Sequence, residues 1–338
     1  MPFMNSMARA DKGEKRENAM KTISFVIPCY ASEGSVALVM EEIRQTVAEK
    51  PEFDYEIVAV NDCSPDNVLS VLRQEAEADP KVKVIDLAKN GGRHCALMAG
   101  FHVTTGDYVV CIDDDLQCPT DQLWNLLAPL EAGNYDVSIA RYAKKKQSAF
   151  KNFGSSVHNK VSDWLLGKDK NLRFSNFSAM RRFVRDEVIR YRNPYPYISG
   201  LMLRATSRVC NVDMEERERT IGAGHYTFKK SFALWMNSFT AFSVKPLRVS
   251  TACGCICAVA GLLELVHVIV RKLLTPSVPA GYSSIMAVLL FVGGMILFML
   301  GLIGEYIGRI YISLNNSPQF VVRETWNVEE ERKEELKL

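Results

Sequence analysis

Three consecutive carboxylates, Asp113-Asp114-Asp115, are the residues in this 338-residue chain best placed to do chemistry, with Leu116-Gln117-Cys118-Pro119 directly behind them. They follow the apolar run Tyr108-Val109-Val110-Cys111-Ile112, which reads as a buried strand. Adjacent negative charges at the end of such a strand repel one another unless a cation sits among them. Oxygen ligands suit a hard divalent cation, Mg2+ or Mn2+, which can also bridge to diphosphate oxygens. The plain alternative is a solvated acidic turn, with Asp121 charging or capping the next helix. A metal held there would support displacement at a sugar's anomeric carbon by neutralising charge on a departing nucleoside diphosphate. A sugar hydroxyl acceptor would need a general base as well. A phosphate monoester would not, because its second pKa of about 6 leaves it largely dianionic at neutral pH. Cations must then position it, and Arg141, Lys151 and Arg219 are the candidates, with Lys144 to Lys146 close by in sequence.

Other polar residues follow apolar runs in the same manner. Pro28-Cys29-Tyr30 ends the first run and offers an aromatic face to a base or sugar. Asn61-Asp62-Cys63-Ser64-Pro65-Asp66 ends the second, where Asp62 can accept a hydrogen bond from a base or ribose and Asp66 can cap the following helix. Lys89-Asn90-Gly91-Gly92-Arg93-His94 is a glycine-containing loop with two potential phosphate donors. No G-x-G-x-x-G follows the first run and no Walker loop is present, which disfavours dinucleotide and P-loop functions.

The elements that must position these residues alternate. Ile23–Ile27, Tyr55–Val60, Val82–Ile85, Tyr108–Ile112 and Asp136–Ala140 read as strands, with helices around Val36 to Ile43 and Val68 to Glu77. Strands separated by helices predict right-handed crossovers and an α/β, Rossmann-like, mainly parallel sheet. Ligand crevices of such sheets lie beyond the carboxyl ends of the strands, which is where Pro28, Asp62 and Asp113 to Asp115 fall.

Composition divides the chain. The net charge of +2 gives no reason to expect a nucleic-acid partner. Charge is concentrated before Arg248 and after Ile303, and the stretch between is strongly apolar. Thr251–Val270 carries only Glu264 and His267 as ionisable groups and Ile285–Ile303 carries none, so each can span a hydrocarbon core of about 30 Å. Two crossings return the chain to its starting side and put the large domain and the tail in the cytoplasm. Arg271 and Lys272 in the connecting loop are outnumbered by Lys229, Lys230, Lys245, Arg248, Arg309 and Arg323 on the other side. Lys144 to Leu165 reads as a basic-flanked amphipathic helix, on the sheet or on a membrane surface, and the aromatic and basic run Tyr226–Phe242 suits a headgroup layer. Nine cysteines without a C-x-x-C pair fit a reducing cytosol, and the first 20 residues lack the apolar stretch of a signal peptide.

Taken together, these segments resemble glycosyltransferase family two, in its polyprenyl-phosphate branch. The resemblance runs from about Ile23 to Arg323 and is carried by Ile27-Pro28-Cys29-Tyr30, Val60 to Asp66, Met98-Ala99-Gly100-Phe101 and Asp113 to Pro119. Further matches are Ser175 to Arg182, Lys245-Pro246-Leu247-Arg248 and Gly301 to Arg309. It implies a GT-A fold, and inverting transfer of a hexose, glucose for example, from a nucleotide-sugar, UDP- before GDP-, to polyprenyl phosphate. It implies metal ligation by Asp113, Asp115 and Gln117, with Asp114, Asp115 and Arg219 at the reacting atoms. The nucleotide lies against Pro28, Tyr30 and Asp62, and the lipid phosphate against Arg141, Lys151 and Ser155. The chain departs from the family at Ala31-Ser32, at Asn61 and at Gly224-His225-Tyr226, where His225 stands for a lysine. The expected organisation is a tail over 1–20, a catalytic domain over 21–225, a membrane-interface segment over 226–248, two transmembrane helices within 249–311 and a cytoplasmic tail over 312–338. An integral protein of a bacterial inner membrane follows, and paired hairpins in a bilayer are compatible with a homo-oligomer. A processive polysaccharide synthase would add a Gln-x-x-Arg-Trp motif and more membrane helices, neither of which is found. A silent nucleotide-sugar-binding scaffold is the other alternative.

Overall fold

A computed structural model describes residues 20–142, 172–215, 217, 281–315 and 317–336, with isolated positions between 247 and 274. Runs that are apolar on both faces build the centre. β1 (Lys21–Cys29), β2 (Phe53–Asn61), β3 (Val82–Leu87) and β4 (Tyr108–Cys111) bury most of their side chains on both sides, so they read as mainly apolar runs rather than alternating ones. Between them lie α1 (Val36–Ala48), α2 (Val68–Ala78) and α3 (Arg93–Val103). α4 (Leu123–Glu131), β5 (Val137–Tyr142), β6 (Ser178–Arg181), α5 (Arg182–Val188), α6 (Ile198–Ala205) and β7 (Val209–Met214) follow. α7 (Tyr282–Leu314), β8 (Val322–Trp326) and α8 (Glu330–Glu335) end the chain.

The eight strands form one sheet in the order β7-β5-β6-β4-β1-β2-β3-β8. The pairs β1–β2, β1–β4, β2–β3 and β5–β7 are parallel, whereas β6 and β8 pair antiparallel with their neighbours. The sheet is therefore the expected α/β arrangement, mostly parallel but mixed. Chain order reverses between β1 and β4, which makes the crevice beyond their carboxyl ends the topological switch point. α3 lies close against β1 and β2 because residue 100 has no side chain: a Cβ on Gly100 would collide with Val26. Its residues from Cys95 to Val103 are all buried, so it has no solvent face.

Residues 318–336, expected only as a tail, carry an edge strand. Backbone pairing of β8 with β3 places Ile85 opposite Thr325 and Asp86 opposite Glu324. Arg323 Nη1 lies 3.2 Å from Asp86 Oδ2, and Asn327 Nδ2 donates to Ala76 O at 2.6 Å and Val82 O at 2.9 Å.

The described residues fall into two compact units, one from 1–154, 168–225 and 318–338 and one from 155–167 and 226–317. In the second, the described positions between Ser250 and Leu274 are helical, and α7 runs for 33 residues. Within α7, the 24 residues Phe291–Leu314 are long and apolar enough to cross a membrane, and their most apolar stretch is not buried at all. They are the one candidate span among the described residues, so the second helix of the expected hairpin is not established there. A Cβ on Gly254 would come 3.0 Å from Met299 Cε, so the earlier helical stretch meets α7 at that level.

Candidate functional site

β4 ends at Cys111 while β1 continues to Cys29, and that mismatch opens the crevice. The Ile112 amide donates to Val26 O at 3.2 Å, so Val26, and with it Pro28 two residues on, faces the β4 side. A proline in a central strand normally costs a ladder bond. Here β4 has already stopped, and no bond is lost. Pro28 itself is buried, whereas the next residue but one, Tyr30, is 52% exposed.

Backbone strain gathers around the same opening. Among the described residues five non-glycines have positive φ, and Ala31 (55°), Cys63 (50°) and Leu116 (63°) are three of them. They follow β1, β2 and the acidic run, and such conformations cost about 1–3 kcal/mol each unless their surroundings fix them. The loops are fixed by each other. Ala31 N donates to Ser64 Oγ at 2.7 Å, Ser64 Oγ to Asp66 Oδ1 at 2.5 Å, and Glu33 N to Asp66 Oδ2 at 2.9 Å. Asp66 thus ties the loop after β1 to that after β2, and the residue at the start of α2 is Asn67.

Each aspartate of the acidic run has its own protein donor. Asp113 Oδ1 accepts from Arg93 Nε at 2.8 Å and Asp113 Oδ2 from Asn176 Nδ2 at 2.5 Å. Asp114 Oδ2 accepts from the Tyr30 amide at 3.0 Å, and Ser35 Oγ donates to Asp114 O at 2.6 Å. Asp115 Oδ1 accepts from the Gln117 amide at 3.2 Å. Burial raises the Asp114 carboxyl to about 6; hydrogen bonds from Ser32 and the Tyr30 amide oppose the shift and the charges of Asp113 and Asp115 add to it. The four predicted residues therefore lie in one loop, Asp113 to Gln117. Among the described residues no three acidic, histidine or cysteine side chains converge as a ready metal cage. The donor set fits a divalent ion in kind, since carboxylate and amide oxygens are what Mg2+ and Mn2+ take. An under-compensated carboxylate at Asp114 is also what a cation would relieve.

Asp62 is 3% exposed, and both its oxygens accept backbone amides, Gly91 N at 2.8 Å and Gly92 N at 2.9 Å. Asn90 Nδ2 donates to Asp62 O at 3.0 Å. Asp62 therefore anchors the glycine loop, whose Gly92 (φ 83°) turns the chain into α3. Burial raises its carboxyl, and the two amides pull it back. Arg141, at the end of β5, makes a two-point pair with Asp213 of β7 at 2.5 and 2.7 Å. Lys151, Ser155 and Arg219 lie outside the described residues, as do Lys144 to Lys146 and His225.

Arg93 and Asn176 are the contacts that reading the chain in order did not assign to Asp113. They come from 20 residues before and 63 after it, so only the folded sheet brings them together. Arg217 reaches the same loop at its far end: it binds Glu42 at 3.0 and 2.8 Å and Asp121 at 2.5 Å, while its amide donates to Gln117 O at 3.3 Å. Asp121 is thus an ion-pair partner of Arg217.

Comparison with known proteins agrees with this geometry. Residues 24–191 match the glycosyl transferase family 2 domain, and residues 245–310 match the GtrB C-terminal hairpin. The undecaprenyl-phosphate 4-deoxy-4-formamido-L-arabinose transferase of Proteus mirabilis is 31% identical over 315 residues, 92% of this chain and 96% of that protein. The SfII prophage-derived bactoprenol glucosyl transferase of Shigella flexneri is 29% identical over 307 residues, 90% of this chain and 98% of that one. Among solved structures, glucosyl-3-phosphoglycerate synthase from Mycobacterium tuberculosis, with Mn2+, UDP-glucose and phosphoglyceric acid, superposes with a TM-score of 0.49 at 19% identity. That match covers 65% of this chain and 78% of the synthase, and it is too distant to carry an argument. With relatives of this similarity matching almost end to end, and the acidic loop at the sheet's switch point, the chain belongs to glycosyl transferase family 2.

Proposed function

We propose that this glycosyltransferase moves a hexose from a nucleotide-sugar to a polyprenyl phosphate, with inversion, at the cytoplasmic face of a membrane that its own apolar hairpin enters. The observation that carries this is the union, in one chain, of an acidic loop at the sheet's switch point with a long, unburied apolar helix. Relatives named for undecaprenyl-phosphate and bactoprenol substrates support the acceptor class. Glucose and UDP are the donor choices to test first.

The pairing of β8 with β3 supports two crossings rather than one. The sheet holds residues from both sides of the apolar region, so any crossings between them must be even in number. The hairpin description of residues 245–310 and the approach of Gly254 to Met299 support the same reading.

Asp113, Asp115 and Gln117 would hold a divalent ion. When bound, that ion supplies positive charge to the leaving diphosphate. Tyr30 offers its exposed ring to the base or sugar, and Asp62 shapes the glycine loop beside it. Arg141 would meet the lipid phosphate by exchanging its exposed partner Asp213, with Lys151, Ser155 and Arg219 as further contacts. No general base is needed for a phosphate already ionised at neutral pH.

The test is to incubate membranes containing the protein with labelled nucleotide-sugars and undecaprenyl phosphate, then extract with organic solvent. A labelled lipid, lost when the metal is chelated, is the expected result. A long water-soluble polymer would favour a processive synthase, and donor binding with no transfer would favour a silent scaffold.

A further inference from the structure

We propose that Arg93 is the resident cation of the acidic loop: it holds Asp113 while the donor is absent and must release it before a divalent ion can bind there. The proposal rests on the metal-and-diphosphate reading of the loop and adds an order to it.

Its basis is the pairing of the carboxylate expected to ligate the ion. Both Asp113 oxygens are engaged, one by the Arg93 Nε and the other by the Asn176 amide. The side chains are 27% exposed at Arg93 and 18% at Asp113, so the pair is partly withdrawn from water. A guanidinium stays charged at any working pH. The cation is also placed in advance. Arg93 opens α3 directly after Gly92, in a loop that Asp62 pins through two amides. Gly91 before it admits no side chain without disturbing Cys95, whose Cβ would lie 2.8 Å away. Arg93 Nη2 also donates to Asn176 O at 3.0 Å, so one residue ties the acidic loop to the segment ahead of β6.

A metal ion arriving alone must displace this guanidinium and leave it beside a new like charge. A metal arriving with a diphosphate meets no such penalty, because the diphosphate offers the guanidinium another anion. Metal and donor should accordingly bind with strong positive coupling, and Arg93 is the source of it.

The experiment is Mn2+ binding to the full chain in detergent, followed by the electron paramagnetic resonance signal of free Mn2+, with and without UDP. Arg93→Met should tighten donor-free Mn2+ binding about tenfold, the equivalent of ~1.4 kcal/mol. It should also shrink the gain that UDP gives to Mn2+. Arg93→Lys, which keeps the charge, should stay near the wild-type affinity. Should Arg93→Met fail to fold, Asn176→Ala frees the other Asp113 oxygen and should tighten Mn2+ by a smaller factor. Mn2+ binding that Asp113→Asn weakens but that neither Arg93→Met nor Asn176→Ala strengthens overturns this proposal alone. Binding indifferent to Asp113→Asn overturns it together with the metal reading.

Discussion

Two carboxylates near opposite ends of the same sheet, one buried and one half-buried, meet opposite fates. Toward the amino ends, Glu56 is 5% exposed and accepts from Ser24 Oγ at 2.5 Å, Lys83 Nζ at 2.7 Å, Thr105 Oγ1 at 2.9 Å and the Gly106 amide at 3.2 Å. Burial pushes its carboxyl up, but Lys83 and these donors outweigh burial and hold it below the ordinary range. Toward the carboxyl ends, burial outweighs the hydrogen bonds that Ser32 and the Tyr30 amide give Asp114, two like charges lie beside it, and its carboxyl rises to about 6. The first carboxylate is over-supplied with partners and holds the strands together. The second is under-supplied, at a place where the backbone is strained as well. Glu56 is a charge completed by the fold, whereas Asp114 is one whose burial the fold does not fully offset, the pattern expected of a group with a functional role.

Removing one charge from each end should separate activity from stability. Asp115→Asn should lower lipid-linked sugar formation by about a thousandfold, through loss of charge at the leaving diphosphate. The melting temperature should not fall, and retention of most activity would take Asp115 out of the metal site. Glu56→Gln should do the reverse. It leaves Lys83 charged and buried, at 10% side-chain exposure, and should cost about 3 kcal/mol of stability. Activity per folded molecule should stay as it was; a thermal melt in detergent beside the transfer assay reads both.

Acid should sharpen the contrast. The native Asp114 carboxyl keeps a proton to about pH 6, whereas in the unfolded chain it releases it near the ordinary value of 3.8. Between those values the native state binds more protons, so this group's contribution to stability falls as pH rises through the window. Above it the penalty is complete, about 2 kcal/mol at most once partial solvent access is allowed for. Asp114→Asn should therefore melt higher than wild type at pH 8 in chelator, and the two should converge below pH 4. A parallel pair of curves would show that Asp114 is not strained by its ionisation.

The sequence discloses the amino-terminal half of this arrangement and conceals the rest for identifiable reasons. β1 to β4 are buried on both faces, so Ile23–Ile27 and Tyr55–Val60 stand out as apolar runs with polar residues just beyond them. α3 hides because it is buried all round and has no polar face to give it a helical period. β6, Ser-Ala-Met-Arg, has too few apolar residues to declare itself and exists by pairing with β4 and β5. β8, Val-Arg-Glu-Thr-Trp, is a charged edge strand, the kind that resists pairing with other chains. The acidic loop was legible because three aspartates after a strand are chemically conspicuous. The hold of Arg93 and Asn176 on Asp113 was not, because it depends on segments that meet only once the sheet has formed.

A third carboxylate extends the comparison to the surface. Asp213 has a 74% exposed side chain, and its two-point pair with Arg141 stands in water, where such pairs contribute little to folding. Its consequence should lie in function, since Asp213 occupies the guanidinium that is expected to meet the lipid phosphate. Asp213→Asn should leave the melting temperature unchanged and lower the KM for undecaprenyl phosphate by roughly threefold, an effect that shrinks as salt screens the competing charge. Arg141→Ala should raise the same KM without altering the KM for the nucleotide-sugar. If neither substitution moves the lipid KM, Arg141 belongs with Glu56 among the groups that serve the fold, and the acceptor phosphate is held elsewhere.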